Sequence, residues 1–177
     1  MPAEPEVNLR AWTEDDLPLL RGLLGDPAMT TYLGGPESEE KLLARHARYL
    51  GVDESGKGRV FVITAGPERT AVGWVGYWES SWHDEPAWET GWSVLPEFQG
   101  RGLATRGAAL ALETAAVDGR YRFVYAFPAV ENGPSNGVCA RLGFEMVGSE
   151  TLEYPPGTPM ECAIWRRELS PSTSAPP

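Results

Sequence analysis

Two glycines separated by one residue stand between a predicted strand and a predicted helix, and this loop constrains the fold more than any other feature. The segment is Gln99-Gly100-Arg101-Gly102-Leu103-Ala104. Glycine lets the backbone bend tightly and approach a ligand closely. A helix that begins directly after the loop offers free N–H groups and the positive end of its dipole. Together these features predict an anion site suited to phosphate groups, to which Arg101 and Arg106 could add positive charge.

Other interpretations of this loop compete with a phosphate site. A Walker loop needs a Gly-Lys-Ser/Thr triplet, which the segment lacks. A dinucleotide-binding loop needs a third glycine where this chain has Thr105. It also needs an acid about 20 residues further on, where this chain has Arg122. An ordinary strand–turn–helix connection would use the same glycines for geometry alone. The two glycines by themselves do not separate this connection from a phosphate site.

The length and composition predict one globular domain. The chain has 177 residues, of which 42% are hydrophobic and 23% charged, enough for a single core over residues 1–169. Residues 170–177 are rich in Ser and Pro and are predicted to be a disordered tail. The first residues are acidic and Pro-rich and no long apolar run follows, so we expect no signal peptide, no membrane span and a cytoplasmic location. Cys139 and Cys162 are too few for a disulfide framework or a zinc site.

The net charge of −10 argues against a nucleic-acid partner, because phosphate backbones are bound by clustered Lys and Arg. An acidic surface could favour a cationic substrate such as a polyamine or an N-terminal amine. It could equally serve solubility alone.

The hydrophobic periodicity predicts strands and helices that alternate irregularly along the chain. Strands are predicted at residues 7–10, 59–65, 71–78, 88–95, 123–127, 144–147 and 162–166. Helices are predicted at residues 17–24, 39–50, 103–117 and 134–142, and the second of them is predicted to place Leu42, Leu43, Ala47 and Leu50 on one apolar stripe. This order predicts an α/β (α+β) fold with a mixed sheet.

The strand before the glycine loop carries a lone acid among aromatic residues. Because side chains alternate along a strand, one face is predicted to hold Trp88, Thr90, Trp92 and Val94, and the other Glu89, Gly91, Ser93 and Leu95. A carboxylate in this position can take a proton from a reacting group such as an amine, which has a pKa of about 10.4 when it resembles lysine. Glu89 is therefore the favoured general base. The alternative is a glutamate in a salt bridge or exposed at a strand end; Glu79, Asp84 and Glu85 are weaker candidates in a predicted preceding loop.

The complete loop string resembles motif A of the GNAT N-acetyltransferases, Gln/Arg-x-x-Gly-x-Gly/Ala, at Gln99, Gly102 and Ala104. Further segments resemble the RimJ/RimL-like branch, which acetylates protein N-termini. They are Leu-Arg-Ala-Trp-Thr-Glu-Asp-Asp-Leu near the start, Gly-Trp-Val-Gly, Trp-Glu-Thr-Gly-Trp-Ser-Val before the loop and Glu-Asn-Gly-Pro-Ser-Asn…Arg-Leu-Gly-Phe after it. The resemblance implies a mostly antiparallel sheet of six to seven strands with about four helices.

The resemblance also implies acetyl-coenzyme A as cosubstrate and assigns residues to it without a metal. Backbone groups of Gln99, Gly100, Arg101, Gly102, Leu103, Ala104 and Thr105 would hold the pyrophosphate. The backbone of Val94 and Leu95 would meet the pantetheine arm, and an amide there would polarise the thioester carbonyl. Asn132 and Ser135 match Asn-x-x-Ser and would contact the cofactor, whereas helix capping is the alternative for both.

The sequence departs from the family pattern at Cys139, where many members carry a tyrosine that protonates the leaving thiolate. A Cys could donate that proton, although a small buried Cys is the commoner explanation. A loop around Trp82 and the Pro-rich segment 153–159 could shape the acceptor site. The acceptor, the acyl group and the choice between monomer and homodimer stay open. A non-catalytic acyl-coenzyme A sensor and a nucleotide-phosphate enzyme are the competing functions.

Overall fold

Seven strands form one sheet in the computed structural model, which describes residues 3–170. The strands are β1 (Val7–Ala11), β2 (Gly58–Ala65), β3 (Thr70–Trp82), β4 (Glu85–Val94), β5 (Phe123–Ala126), β6 (Glu145–Glu153) and β7 (Pro159–Glu168). The helices are α1 (Leu17–Leu24), α2 (Glu39–Ser55), α3 (Leu103–Asp118) and α4 (Gly133–Arg141). Short 3-10 turns precede α1 at Glu14–Asp16 and α3 at Pro96–Phe98.

The strand order is β1-β2-β3-β4-β5-β7-β6, and β4 and β5 pair in parallel whereas all other neighbours are antiparallel. Parallel neighbours need a crossover connection, and α3 provides it. The predicted mixed, mostly antiparallel sheet with about four helices is therefore confirmed. The predicted tail lies outside the described residues apart from Ser170, and the single domain over residues 1–169 stays a prediction.

Helices cover both faces of the sheet. On one face α3 buries Leu103, Ala108, Ala111, Leu112 and Ala115 against strand residues that include Phe61, Val75, Tyr77, Trp88 and Val94. On the other face α1 and α2 pack on Val60, Val62 and Trp74. On β4, Trp88 and Val94 belong to the layer that faces α3, whereas Gly91 faces the Trp74 and Trp78 rings of the other layer, so the predicted faces of this strand are confirmed.

The hairpin of β3 and β4 is longer than predicted. β3 was expected to end at residue 78 and β4 to start at residue 88, but the two strands pair until Trp82 meets Glu85. His83 and Asp84 form the two-residue turn with φ of 50° and 65°, a left-handed conformation typical of such turns. The predicted loop around Trp82 is therefore wrong. The residues in the outer part of both strands are mostly polar, and such a sequence is typical of a loop. They nevertheless continue the hydrogen-bonded pairing of β3 with β4.

Helix α2 is turned differently from its predicted apolar stripe. Leu43 and Leu50 were placed on the buried side, but they are 47% and 36% exposed. Leu42, Tyr49 and Val52 pack against the sheet instead. This rotation leaves the side of α2 that carries basic residues facing outward.

None of the helices among the described residues is both long and apolar enough to span a membrane.

The close approach of β3 to β4 gives a stability test. A Cβ on Gly73 would lie 2.2 Å from the Ser93 carbonyl oxygen and 3.0 Å from the Val94 Cα, so Gly73→Ala forces the backbones apart. We expect a loss of about 3 kcal/mol in the free energy of unfolding, measured by urea denaturation. Gly51→Ala, in α2 with nothing within 4 Å of the added Cβ, should instead stabilise by about 0.5 kcal/mol. Equal midpoints for the two variants would contradict the strand register.

Candidate active site

The central feature of the site is an opening between the two parallel strands. β4 and β5 share two residue pairs, Trp88 with Val124 and Glu89 with Tyr125. β5 ends at Ala126, whereas β4 continues to Val94 along β3. Over this last stretch β4 has a partner on one edge, and its other edge faces the gap that leads toward the glycine loop.

Backbone hydrogen bonds at the end of β4 distinguish Val94 from Leu95. The Leu95 N–H donates to the Val72 carbonyl oxygen at 2.8 Å, and the Leu95 carbonyl accepts from the Phe98 N–H at 2.9 Å. Because antiparallel strands alternate between bonded and non-bonded pairs, the N–H and C=O of Val94 point away from β3. Its N–H is therefore directed to the opening. The Leu95 N–H is already bonded within the fold, so it is not a free donor, and contact of the Leu95 backbone with the pantetheine arm stays a prediction.

The glycine loop has the tight geometry that the sequence predicts. Gly100 and Gly102 have φ of 74° and 71°, in the left-handed region that favours glycine. Gly102 is the N-cap of α3 and offers no side chain to the helix. Its carbonyl accepts from the Arg106 N–H at 3.1 Å, which closes the first turn. The N–H groups of Leu103, Ala104 and Thr105 precede that first bond and so have no partner within the helix.

The longer side chains of the loop are bonded to the protein backbone. The Gln99 side-chain amide donates to the Val94 carbonyl at 2.9 Å, which ties the loop to the end of β4. Arg101 donates to the Glu97 carbonyl at 3.0 Å and Arg106 to the Pro5 carbonyl at 2.8 Å. Anion binding by this loop would accordingly rest on backbone N–H groups, with the two arginines as nearby charges.

Glu89 lies on the sheet face covered by α1 and α2, beside its cross-strand neighbour Trp78. A Cβ on Gly91, the next residue on this face, would lie 3.1 Å from the Trp78 ring and 3.6 Å from that of Trp74. The carboxyl group thus borders an aromatic floor. Burial raises the pKa of Glu89, and the side chains of Ser80 and Trp78 oppose this rise. A raised pKa brings a carboxylate closer to the proton affinity that a general base needs near neutral pH.

The weaker acidic candidates lie at the outer part of the hairpin, not in a loop. Glu79, on β3, accepts hydrogen bonds from Arg120 at 2.8 Å and Tyr121 at 2.9 Å. Mainly because of the Arg120 bond, the pKa of Glu79 is lowered. Asp84 occupies the turn and Glu85 begins β4. Glu79 is therefore in a salt bridge, and Asp84 and Glu85 are exposed at the end of the hairpin. These are the structural roles that were given as the alternative for Glu89.

Asn132 and Ser135 form the start of α4. The Asn132 side-chain oxygen accepts from the Ser135 N–H at 3.2 Å, so the capping role is real. Asn136 is held by the Ala129 and Asn132 carbonyls and by the Trp165 indole N–H at 2.8 Å. A cofactor contact by Asn132 or Ser135 would have to use the groups that remain after capping.

Cys139 is fully buried in the core beneath α4. Burial raises the pKa of its thiol to about 12, so at neutral pH the group is a protonated, enclosed side chain. This agrees with the small buried Cys that was the commoner explanation. It gives no support to Cys139 as a nucleophile or as the proton donor for a leaving thiolate.

A cavity of about 300 Å³ lies between the α1–α2 connection and the turn that joins β6 to β7. Tyr154, Pro155 and Pro156 line it from the turn, which is the Pro-rich segment predicted to shape the acceptor mouth. A hydrogen bond of 3.4 Å from Arg45 to the Tyr154 hydroxyl joins the two walls. The predicted wall residue Trp82 packs instead on Tyr125 and Phe127, with ring centroids 5.9 and 5.1 Å away.

Basic residues of α2 also line this cavity, and the sequence predictions missed them. Lys41, Arg45 and Arg48 lie four and three residues apart, a spacing that places them on one side of a helix. Three basic residues on one side of a predicted helix are notable in an acidic chain, so the sequence alone could have indicated this basic surface. Among residues 3–170 there is no cluster of three or more His, Cys, Asp or Glu residues that could hold a metal ion.

The sequence matches the family model described as "Acetyltransferase (GNAT) domain" over residues 6–145, which includes β4, the glycine loop and the start of α4.

Solved structures with the same fold include several acetyltransferases. RimL, a ribosomal L7/L12 alpha-N-protein acetyltransferase in complex with coenzyme A, has a TM-score of 0.78 at 21% identity, covering 93% of this chain and 95% of that one. Spermidine N-acetyltransferase from Vibrio cholerae, in complex with CoA and spermine, has a TM-score of 0.75 at 21% identity, covering 92% and 95%. Ribosomal-protein-S5-alanine acetyltransferase from Vibrio fischeri has a TM-score of 0.74 at 18% identity, covering 96% and 95%.

At these identities the solved structures establish the fold, and their presence is consistent with the predicted RimJ/RimL-like branch. The family model spans most of the chain, from the first strand through the glycine loop to the end of α4. The chain therefore belongs to the GNAT acetyltransferase family.

Proposed function

We propose that this chain is an N-acetyltransferase that moves an acetyl group from acetyl-coenzyme A to a primary amine by direct attack. The observation that carries the proposal is the opening beyond the second β4–β5 pair. It has backbone donors at Val94 and in the glycine loop on one side, and the Glu89 carboxyl group at its closed end.

The donor side fits acetyl-coenzyme A through backbone groups. Two left-handed glycines and the uncapped start of α3 leave N–H groups directed outward, an arrangement that binds phosphate oxygens. We assign the pyrophosphate to residues 99–105 and the pantetheine arm to the exposed edge of β4, with Val94 as hydrogen-bond donor. We assign Asn132 and Ser135, at the start of α4, to contacts with one side of the cofactor. When bound, acetyl-coenzyme A supplies the activated acetyl thioester.

Glu89 acts as the general base. It accepts a proton from the acceptor amine, directly or through water, as the nitrogen bonds to the acetyl carbon and the carbon–sulfur bond breaks. The Val94 N–H donates to the carbonyl oxygen on which negative charge develops. No side chain is assigned to protonate the thiolate, because Cys139 is enclosed; a thiolate is a fair leaving group, and solvent supplies the proton.

The acceptor is a primary amine, either a protein N-terminus or a small molecule. Similar structures include an enzyme named for ribosomal L7/L12 and another in complex with spermine. The net charge of −10 favours approach of cationic amines from a distance. A monomer or homodimer and a cytoplasmic location stay predictions.

A non-catalytic acyl-coenzyme A sensor is the second candidate, and the buried Cys139 at the usual tyrosine position is its support. It predicts tight coenzyme A binding with no release of free thiol across a broad panel of amines. Thiol release with one amine, together with the mass of the acetylated product, would exclude it.

Replacing Glu89 with Gln tests the base. At neutral pH we expect kcat/KM to fall about 100-fold or more. In the wild-type protein the rate should decline as pH falls through the raised pKa of Glu89, since protonation removes the base. That acidic limb should vanish in Glu89→Gln. Glu85→Gln, which changes an exposed acid at the far end of the same strand, serves as control. An unchanged limb in Glu89→Gln would remove Glu89 as base.

Replacing Gly102 with Ala tests the anion site. Alanine at a φ of 71° costs roughly 1–2 kcal/mol and shifts the loop N–H groups. Gly119→Ala, at a φ of 66° beyond the opposite end of α3, imposes a similar strain away from the loop. Both variants should lose similar stability in thermal unfolding, but only Gly102→Ala should weaken coenzyme A binding, by about fivefold or more, in calorimetric titration. Equal affinities would place the cofactor elsewhere.

A further inference from the structure

The cavity between the α1–α2 connection and the β6–β7 turn carries an excess of positive charge. Lys41, Arg45 and Arg48 line it from α2. Of the residues lining it in the described part of the chain, Glu37 alone is acidic, and it is paired with Arg45. Lys41 and Arg48 have no ion-pair partner among residues 3–170.

The lack of ion-pair partners for Lys41 and Arg48 does not result from a shortage of acidic residues. The chain has 25 acidic and 15 basic residues, so carboxylates are abundant elsewhere on its surface. Lys41 also lies in the first turn of α2, where the helix dipole disfavours positive charge. Helix stability therefore gives no reason for a cation there. Two unpaired cations facing one cavity instead suit an anionic ligand.

The cavity is linked to Glu89 by a row of aromatic rings. The Arg45 guanidinium lies 3.5 Å from the Tyr49 hydroxyl. The Tyr49 and Trp74 rings are 5.4 Å apart, and the Trp74 and Trp78 rings 6.3 Å. Trp78 is the cross-strand neighbour of Glu89. Trp74 is 7% exposed, so these rings connect the two places along one sheet face within the core. The two steps between the rings alone exceed the reach of the second residue's side chain from the terminal amine, so an extended acceptor with its amine at Glu89 would bring residues further along its chain to the cavity.

We propose that this cavity binds a carboxylate of the acceptor through Lys41 and Arg48, so that the acceptor is an amine followed by an acidic group, as at the N-terminus of an acidic peptide. This inference rests on the proposed acetyl transfer and specifies its acceptor. A volume of about 300 Å³ is at the lower end of small-ligand sites. The negative net charge of the chain attracts a polyamine from a distance. Within the cavity, however, the positive charges of Lys41 and Arg48 would repel it.

Three matched peptide amides test the proposal, each with an N-terminal Ser followed by five copies of Asp, Asn or Lys, and spermine serves as a fourth acceptor. Five extended residues of about 3.4 Å each cover the distance from Glu89 to the cavity. We expect kcat/KM for the Asp peptide to exceed that for the Asn peptide by roughly three- to thirty-fold, the range for two partly exposed charge pairs. The Lys peptide and spermine should be poorer still. Because the contacts are partly exposed, 0.5 M NaCl should reduce the preference.

Two double variants and a control locate the effect. Lys41→Gln with Arg48→Gln should abolish the Asp-over-Asn preference, chiefly by raising the KM of the Asp peptide. Lys41→Glu with Arg48→Glu should shift the preference to the Lys peptide. Lys57→Gln removes the other lysine of the chain, an exposed one outside this cavity, and should keep the wild-type preference. An unaltered preference in both double variants would overturn the assignment.

Direct binding separates this inference from the proposed function. The dissociation constants of the three peptides, measured by calorimetry in the presence of coenzyme A, should follow the same order. If the Asp peptide binds best but no amine is acetylated, the proposed transfer fails and the anion site stands. If amines are acetylated but the three peptides neither bind nor react differently, the transfer stands and the anion site is wrong.

Discussion

The fold of this chain depends on how little its two parallel strands pair. β4 and β5 share two residue pairs, and beyond them the strands separate. The separation leaves one edge of β4 without a neighbouring strand, while β3 holds the other edge to the end. The crossover through α3 then brings a helix start to the same gap. The open edge of β4 can hydrogen-bond an extended arm of a ligand, and the start of α3 can bind an anionic group at the end of that arm. Both features lie in one groove.

The same strand divides the chemistry between its two faces. Residues facing α3 form the core that fixes the strand, including Trp88 and Val94. Glu89 faces the other side, where glycine at positions 76 and 91 leaves space for indole rings. The proposed base Glu89, the aromatic floor and the basic side of α2 are therefore on the same side of the sheet, whereas the loop proposed to bind phosphate follows at the end of the strand. One strand thus sets the proposed donor and acceptor sites in a fixed relation.

Features set by local geometry could be predicted from the sequence. The left-handed glycines of the loop, the start of α3 and the alternation that places Glu89 opposite Trp88 depend on neighbouring residues alone. Features set by distant partners could not. The Leu95 N–H is engaged by Val72, and the turn at His83 depends on ladder pairing that polar residues conceal. The rotation of α2 depends on the packing of Leu42, Tyr49 and Val52 against the sheet, and the cavity that α2 lines is completed by a turn more than a hundred residues away.

The central claim is that the gap between β4 and β5 and the start of α3 hold acetyl-coenzyme A, and amide hydrogen exchange tests it most directly. Exchange should be compared with and without saturating coenzyme A, followed residue by residue by NMR. The account predicts slower exchange at Val94 and at residues 100–105, with no change at Leu95, whose N–H is already bonded to Val72, or in β1 and β2. Protection confined to other segments, or none at Val94 and the loop under saturation, would contradict it.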